Sequence, residues 1–411
     1  MIYDLAIRIY SNVVKSVSPL HKKAKLMVDG QRQTFNILRE KIDPNANYIW
    51  FHASSLGEFE QGRPLMEKLK KQHPEYKILL TFFSPSGYEV RKNYEGADVI
   101  CYLPFDNKKD VRTFLDLARP VMAIFIKYEF WANYLTELKK RQIPTYIISA
   151  IFRKEQLFFK DYGKKYLNLL FCFNHIFVQD EASKQLLAQY GVTAVTACGD
   201  TRFDRVIDVF NQTKQLPLVE KFAQLAKAQN QLTLVAGSSW PQDEEIFVKY
   251  FNAHPDTKLI IAPHEIHKEH MKSILSLLNR TSVLLSQATE ESIAKADCII
   301  VDSFGLLSSI YRYGDIAYIG GGFGSGIHNT LEAAVYGVPV IIGPKYHKFK
   351  EARDLIACGG AFSVTDAAGF DALMDQFRKD ESFLANAGAA SGTYVMSNKG
   401  ATEVIAAELP L

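Results

Sequence analysis

Cysteine is scarce in this chain. The five present (Cys101, Cys172, Cys198, Cys298 and Cys358, in 411 residues) form no CxxC pair, which argues against a disulfide framework and a zinc site and points to a reducing compartment. Long basic runs are missing too, and a net charge of +3 is too small to speak for nucleic acid as a partner. The pattern GxxxxGK[ST] does not occur, which removes a P-loop nucleoside triphosphatase. What is present is ordinary: 47% hydrophobic, 23% charged and 12% aromatic residues. Those proportions exclude disordered, collagen-like and low-complexity classes, and the length suits about two to three domains.

Charge is unevenly placed. Residues 1–41 hold eight basic and three acidic side chains, a local +5 within a total of +3, so the remainder carries −2. Within residues 1–20, Ile2, Tyr3, Leu5, Ala6, Ile7, Ile9, Tyr10, Val13, Val14 and Val17 are apolar, interrupted by Asp4, Arg8 and Lys15. Pro19 ends the stretch, and Lys22, Lys23 and Lys25 follow. The charges are too many for a confident spanning helix, and without a small-residue cleavage site a secretory signal is not expected. An apolar helix with a basic flank can lie in a membrane interface. An ordinary first helix packed on its domain accounts for the same pattern.

Beyond residue 45 short apolar runs alternate with helical patterns. Strands are predicted at Tyr48–Phe51, Lys77–Phe83, Val99–Leu103, Val121–Ile126, Thr145–Ser149 and His175–Gln179, with helices such as Gly62–Gln72 and Asn107–Ala118 between them. The rhythm pauses over the polar segment Gly199–Gln215 and restarts at Leu232–Ala236, Lys258–Ala262, Asp297–Val301, Ile316–Ile319 and Val338–Ile342. Continuous apolar strands separated by helices mean parallel sheets covered on both faces. The class is therefore α/β, with two doubly wound, Rossmann-like units joined near residues 205–215. Ligands in such folds bind at the carboxyl ends of strands, and two such ends can face one central cleft. A last helix, Ala401–Leu409, is read as packing back across the first unit.

The strongest local signal is Gly320-Gly321-Gly322-Phe323-Gly324-Ser325-Gly326-Ile327-His328-Asn329-Thr330-Leu331-Glu332. Glycines let backbone N–H groups approach an anion, and a helix start adds free N–H groups, so phosphate is the natural occupant. Glu332 would then suit a ribose diol. A tight turn without ligand is the plain alternative. A second site is Phe51-His52-Ala53-Ser54-Ser55-Leu56-Gly57-Glu58. Here Glu58 reads either as a candidate base or as a helix-start acid favoured by the dipole, and His52 as a packed or capping histidine.

Several of these motifs, in this order, resemble the 3-deoxy-D-manno-octulosonic acid (Kdo) transferases of lipopolysaccharide synthesis, a GT-B glycosyltransferase family. Ser54-Ser55-Leu56-Gly57-Glu58 resembles the family's Ser-Val-Gly-Glu, and Thr81-Phe82-Phe83-Ser84-Pro85-Ser86-Gly87 its Thr-Pro-Thr-Gly strand end. Lys127-Tyr128-Glu129-Phe130-Trp131-Ala132-Asn133 resembles Glu-Thr-Glu-Leu-Trp-Pro-Asn, and Gly199-Asp200-Thr201-Arg202-Phe203-Asp204 resembles Gly-Asn-Leu-Lys-Phe-Asp. Ser238-Ser239 with Glu244-Glu245 is similar to Ser-Thr-His…Glu-Glu, and Gly326-Ile327-His328-Asn329-Thr330-Leu331-Glu332 to Gly-His-Asn-Pro-Leu-Glu, followed by Gly343-Pro344 and Phe349.

The resemblance implies transfer of Kdo from CMP-Kdo to the lipid A precursor, inverting, without metal or other cofactor. It implies Glu58 as general base, Ser54, Ser55 and Gly57 on the acceptor side, and Lys127, Glu129 and Arg202 as transition-state stabilisers. CMP contacts fall at Pro263, His264, Phe304, Gly305, Leu306, Asn329, Thr330, Leu331 and Glu332, and the phosphate loop at Ser238, Ser239, Gly324, Gly326 and His328. The implied organisation is a membrane-associating helix over 1–20, an acceptor domain over 21–205 and a nucleotide-sugar domain over 206–411. The implied place is the cytoplasmic face of a Gram-negative inner membrane, peripheral or single-helix anchored, with membrane lipids as partners. Four positions depart from the family: Lys127 replaces its first acid in the Trp motif, Arg202 its linker Lys, His264 the Arg of Pro-Arg, and Leu306 the Glu of Gly-Glu-Leu. The alternatives are another GT-B enzyme or epimerase using a UDP-sugar, and a membrane-docked binding protein without catalysis.

Overall fold

Apolar runs without alternation must be covered on both faces, and the first strand, β1 (Asn47–Ala53), shows how. Tyr48 and Trp50 enter one core layer while Ile49, Phe51 and Ala53 enter the other. The computed structural model describes residues 2–212 and 214–411. They divide into two compact units, 2–205 with 399–411 and 206–398.

The first unit carries β1, β2 (Tyr76–Phe82), β3 (Val99–Tyr102), β4 (Pro120–Ile126), β5 (Thr145–Ala150), β6 (His175–Val178) and β7 (Val195–Ala197) in the order β3-β2-β1-β4-β5-β6-β7. The second carries β8 (Leu232–Ser239), β9 (Thr257–Pro263), β10 (Ser282–Leu284), β11 (Cys298–Ile300), β12 (Ile316–Ile319), β13 (Val340–Ile342) and β14 (Ala361–Ser363) in the order β10-β11-β9-β8-β12-β13-β14. Every pairing is parallel. Strand order reverses beside β1 and β4 in one sheet and beside β8 and β12 in the other. Those reversal points are where doubly wound sheets open a crevice at their carboxyl ends.

Three strands escape the sequence reading: β7, β10 and β14. Each has three residues, sits at a sheet edge and is only partly buried, so none produces an apolar run. The helix after β1 runs from Leu56 to Gln72, six residues earlier than the periodicity from Gly62 suggests, and Glu58 consequently lies in its first turn.

Residues 2–20 belong to the first unit. Their helix, Ile2–Val17, is fastened by Tyr3, whose hydroxyl donates to Asp106 Oδ2 at 2.5 Å, and by Asp4, which accepts from Asn133 Nδ2 at 3.1 Å. Tyr10 packs against Phe83 and Phe105. The opposite side leaves Leu5, Ile9, Val13 and Val17 exposed, one turn apart. No helix among the described residues is long and apolar enough to cross a membrane. The last helix, Ala401–Glu408, also belongs to the first unit. Asp204 accepts from Gly400 N, Thr402 N and Thr402 Oγ1 at 2.6–2.7 Å, and Lys68 donates to Glu403 Oε1 at 2.5 Å.

Candidate active site

At the reversal point of the first sheet, β1 delivers Ser54, Ser55, Gly57 and Glu58. Ser55 is the N-cap, and its backbone N and Oγ both donate to Glu58 Oε2, at 2.7 and 2.8 Å. Glu58 therefore has the hydrogen bonds of a helix-start acid. Its carboxyl nevertheless titrates above the ordinary glutamate range. Burial is the main cause and the Glu129 carboxylate the second, and together they outweigh the Ser55 donors. The dipole argument, which lowers the pKa of an acid at this position, is thereby overruled. Gly57 is exposed, and a Cβ there would meet only Ser55 Oγ, at 3.9 Å.

His52 lies on the Trp50 face of β1 and is fully buried. Its Nδ1 is 3.2 Å from Thr81 O and 2.9 Å from Thr81 Oγ1, and its Nε2 is 3.1 Å from Glu129 Oε2. Trp131 Nε1 donates to the same Glu129 oxygen at 2.5 Å. A carboxylate only accepts, so Nε2 donates to Glu129, and Nδ1 can then accept from the Thr81 hydroxyl, the nearer of its two contacts. His52 and Glu129 thus form one buried unit, braced by Thr81, with Trp50 Nε1 donating to Thr81 Oγ1 at 2.8 Å. The role of Thr81 as the brace is invisible in its own motif, because its partners, Trp50 and His52, come from another strand, β1.

Lys127 follows β4 with φ 71°, and Ser149 in β5 and Ser238 in β8 have φ 54° and 52°. Left-handed conformations in residues with side chains cost about 1–3 kcal/mol each, and here all three fall at the carboxyl ends of strands. Arg202 is held rather than projected. Its backbone N and Nε donate to Asp200 at 2.9 Å, and Gln61 Nε2, from the Glu58 helix, reaches the same carboxylate at 3.2 Å. Burial raises Asp200, but the Arg202 charge and hydrogen bonds win and the net shift is downward.

In the second sheet the glycine-rich stretch does not run straight into a helix. Residues 320–326 close on themselves through Gly324 N and Gly326 N to Gly321 O, and His328 N returns to Gly320 O. The helix that follows is one turn, Leu331–Ala334, so an extended helix dipole is not available. Gly324 and Gly326 thus give their N–H groups to the loop itself. The glycines answer first to packing: a Cβ on Gly320 would lie 2.3 Å from Ser238 O, and one on Gly322 would lie 2.6 Å from the Gly343 backbone. Asp243 pins the loop, accepting from Gly321 N at 2.9 Å and Trp240 N at 3.0 Å.

Ser239 is buried, and its hydroxyl donates to Glu244 Oε1 at 2.8 Å, so it is a structural hydroxyl. Pro263 is the buried end of β9, and His264 is exposed just beyond it. Phe304 is 78% exposed and Gly305 adopts φ 79° ahead of Leu306. Asn329 accepts from Leu331 N at 3.1 Å and donates from Nδ2 to Glu332 Oε1 at 3.0 Å. Leu331 is a core residue, whereas the buried Thr330 Oγ1 has no partner among the described residues. An unsatisfied buried hydroxyl costs about 1–3 kcal/mol and fits a place where a ligand supplies the partner. No group of three or more His, Cys, Asp or Glu side chains that could hold a metal occurs among the described residues.

Comparison with known proteins bears on this geometry. A family model described as 3-deoxy-D-manno-octulosonic-acid transferase (kdotransferase) matches residues 29–205. The 3-deoxy-D-manno-octulosonic acid transferase of Aquifex aeolicus is 30% identical over 331 residues, covering 79% of this chain and 83% of that protein. The protein of the same name from Haemophilus influenzae is 27% identical over 379 residues, covering 88% and 86%. Among solved structures, UDP-GlcNAc 2-epimerase from Neisseria meningitidis bound to UDP-GlcNAc aligns with TM-score 0.59 at 15% identity, over 88% of this chain and 98% of that one. The calicheamicin glycosyltransferase CalG4 aligns with TM-score 0.55 at 12% identity, over 88% and 97%. The structural likenesses bear on the fold, two doubly wound α/β units of the GT-B type, and the sequence relatives bear on the chemistry: the chain belongs to the 3-deoxy-D-manno-octulosonic acid transferase family and is a glycosyltransferase.

Proposed function

We propose that this protein transfers Kdo from CMP-Kdo to a hydroxyl of the lipid A precursor, with inversion at the anomeric carbon and Glu58 as general base. The observation that carries the reading is Glu58 itself: a half-buried carboxyl with raised basicity at the reversal point of the first sheet, above the buried His52–Glu129 unit. The acceptor oxygen forms the new bond to the ketosidic carbon and its proton passes to Glu58, while the bond to the phosphate oxygen breaks and CMP departs. Burial and the neighbouring Glu129 charge make Glu58 a better proton acceptor than an ordinary glutamate. The ketosidic carbon passes through an oxocarbenium-like state, for which a buried carboxylate such as Glu129 offers electrostatic compensation. His52 is enclosed, and its part is to hold Glu129 in place. Incubation with CMP-Kdo generated in situ and lipid A precursor, followed by mass spectrometry of the lipid, tests the assignment. A product heavier by one or more Kdo units is expected, and turnover of UDP-sugars in its place would overturn it.

The cytoplasmic membrane surface is the place we assign to this reaction. At 16 residues the first helix is about 24 Å long, short of a hydrocarbon core of about 30 Å, and its exposed Leu5, Ile9, Val13 and Val17 with the following lysines suit an interfacial seat. Because Tyr3 and Asp4 bind the domain, deleting the segment would disturb Asp106 and Asn133, and substitution is the cleaner experiment. Ile9 and Val13 are 56% and 54% exposed, so Ile9→Glu with Val13→Glu should leave the fold intact. Partition onto anionic vesicles should weaken by about tenfold or more. Equal vesicle binding by the double variant and the parent would remove the helix as the membrane contact.

A further inference from the structure

Three aromatic side chains converge at the reversal point of the second sheet, each from a different strand end. Trp240 follows β8, His264 follows β9, and His328 closes the glycine-rich loop after β12. Trp240 and His264 stack with ring centroids 4.7 Å apart, and His264 and His328 stack at 4.3 Å. The Trp240 indole Nε1 is 3.2 Å from His328 Nε2.

An indole N–H can only donate, so His328 Nε2 must present a lone pair. The ring is then neutral and carries its proton on Nδ1, where no described residue provides an acceptor. Cationic His328 would place a second proton where the indole hydrogen already points. The surroundings agree: burial, and after it the neighbouring His264, hold the His328 titration down to about 4. The ring also packs on Gly321, where a Cβ would come 3.1 Å from His328 Cδ2. Two residues further on, the buried Thr330 hydroxyl lacks a partner. One ring donor and one hydroxyl are thus left at the point where a doubly wound sheet takes its ligand.

We propose that Trp240 is a positioning residue that fixes His328 as a neutral Nδ1–H donor, and that this N–H bonds a phosphate oxygen of the bound nucleotide. The proposal rests on the reading of the second unit as the CMP-Kdo domain. It makes Trp240 act through His328 and gives it no contact with substrate of its own. A neutral donor binds the phosphate of CMP without adding a charge that must later be separated from the departing product.

Asparagine and glutamine replacements separate the two ring nitrogens, because an Asn amide reaches about as far as Nδ1 and a Gln amide about as far as Nε2. CMP affinity by calorimetry should fall at least about tenfold in His328→Gln, the size of one hydrogen bond to a charged group, and by a smaller factor, about two- to fivefold, in Trp240→Phe, where the donor tautomer is only less populated. His328→Asn should stay within about threefold of the parent. Cytidine, which lacks the phosphate, should bind all four proteins alike. Nitrogen-15 spectra of the histidines should show the His328 proton on Nδ1 in the parent and redistributed toward Nε2 in Trp240→Phe, a change that a merely space-filling tryptophan would not produce. Equal losses in His328→Asn and His328→Gln, or a Trp240→Phe protein with unaltered tautomer and affinity, would overturn the proposal. A parent that binds UDP in preference to CMP would sink the donor assignment instead, and the spectra would still report whether Trp240 sets the tautomer.

Discussion

Glu58→Gln is expected to lower kcat by about two to four decades, the range that a general base contributes, while CMP affinity stays unchanged. Glutamine keeps the shape and can still accept from Ser55 N and Ser55 Oγ, so the first turn of the helix retains its bonds. It cannot take the acceptor's proton. Stability provides a control with a definite sign. The Glu58 carboxyl titrates higher in the folded protein than in the unfolded chain. Its contribution to stability is therefore fully present at low pH, below the unfolded value, and is lost as pH rises through the folded value. At neutral pH the native protein carries that cost, and Gln does not. The variant should accordingly melt no lower than the parent at neutral pH while losing nearly all turnover. The same elevation predicts that the acid limb of the kcat/KM profile lies above the ordinary glutamate range. A folded Glu58→Gln protein turning over within about threefold of the parent would remove Glu58 as the base, since that loss is far below the general-base range.

Gly320→Ala should destabilise the protein by roughly 1–3 kcal/mol, the usual cost of forcing a methyl group into packed surroundings. All three atoms nearest to the added Cβ are backbone atoms of Ser238 and Ser239, at 2.3–2.8 Å, and none can swing aside as a side chain would. Gly324→Ala is the internal comparison. Its nearest atom is Gly321 O at 3.5 Å, an ordinary contact, so its effect should stay within about 0.5 kcal/mol. Urea unfolding of the two variants and the parent measures both. If Gly320→Ala proved as stable as Gly324→Ala, close strand-end packing would not be the reason for glycine at position 320.

The alternation of apolar runs and helices made both sheets legible, because strands covered on two faces leave unbroken hydrophobic stretches such as Tyr48–Phe51 and Ile316–Ile319. Edge strands left no such trace: Ser282–Leu284 is only partly buried in each of its residues. The helix Lys22–Lys41 hides for a related reason, since its buried face mixes Gln31 and Thr34 with Met27, Val28 and Leu38. Glu58 was legible as an acid at a helix start, but the direction of its titration was not, since Glu129 lies more than seventy positions along the chain. The glycines looked like one anion cradle, yet Gly320 and Gly322 serve backbone packing and Gly324 and Gly326 bond within the loop. Trp240 stands next to Ser238-Ser239, and nothing local announces that its indole meets a histidine 88 positions later.

The helix Ala401–Glu408 belongs to the unit that the chain begins, and Asp204 is the residue that receives it. During synthesis the first sheet can assemble early, but Asp204 must wait for Gly400 and Thr402 while nearly two hundred intervening residues are made. The second unit is in effect an insertion within the first. A ribosome that stalls after residue 398 would release a finished second unit beside a first one still missing its closing helix, with Ile405 and Leu409 absent from the core that holds Phe59 and Leu65. Quality control of such fragments would then act on the half of the protein that was made first.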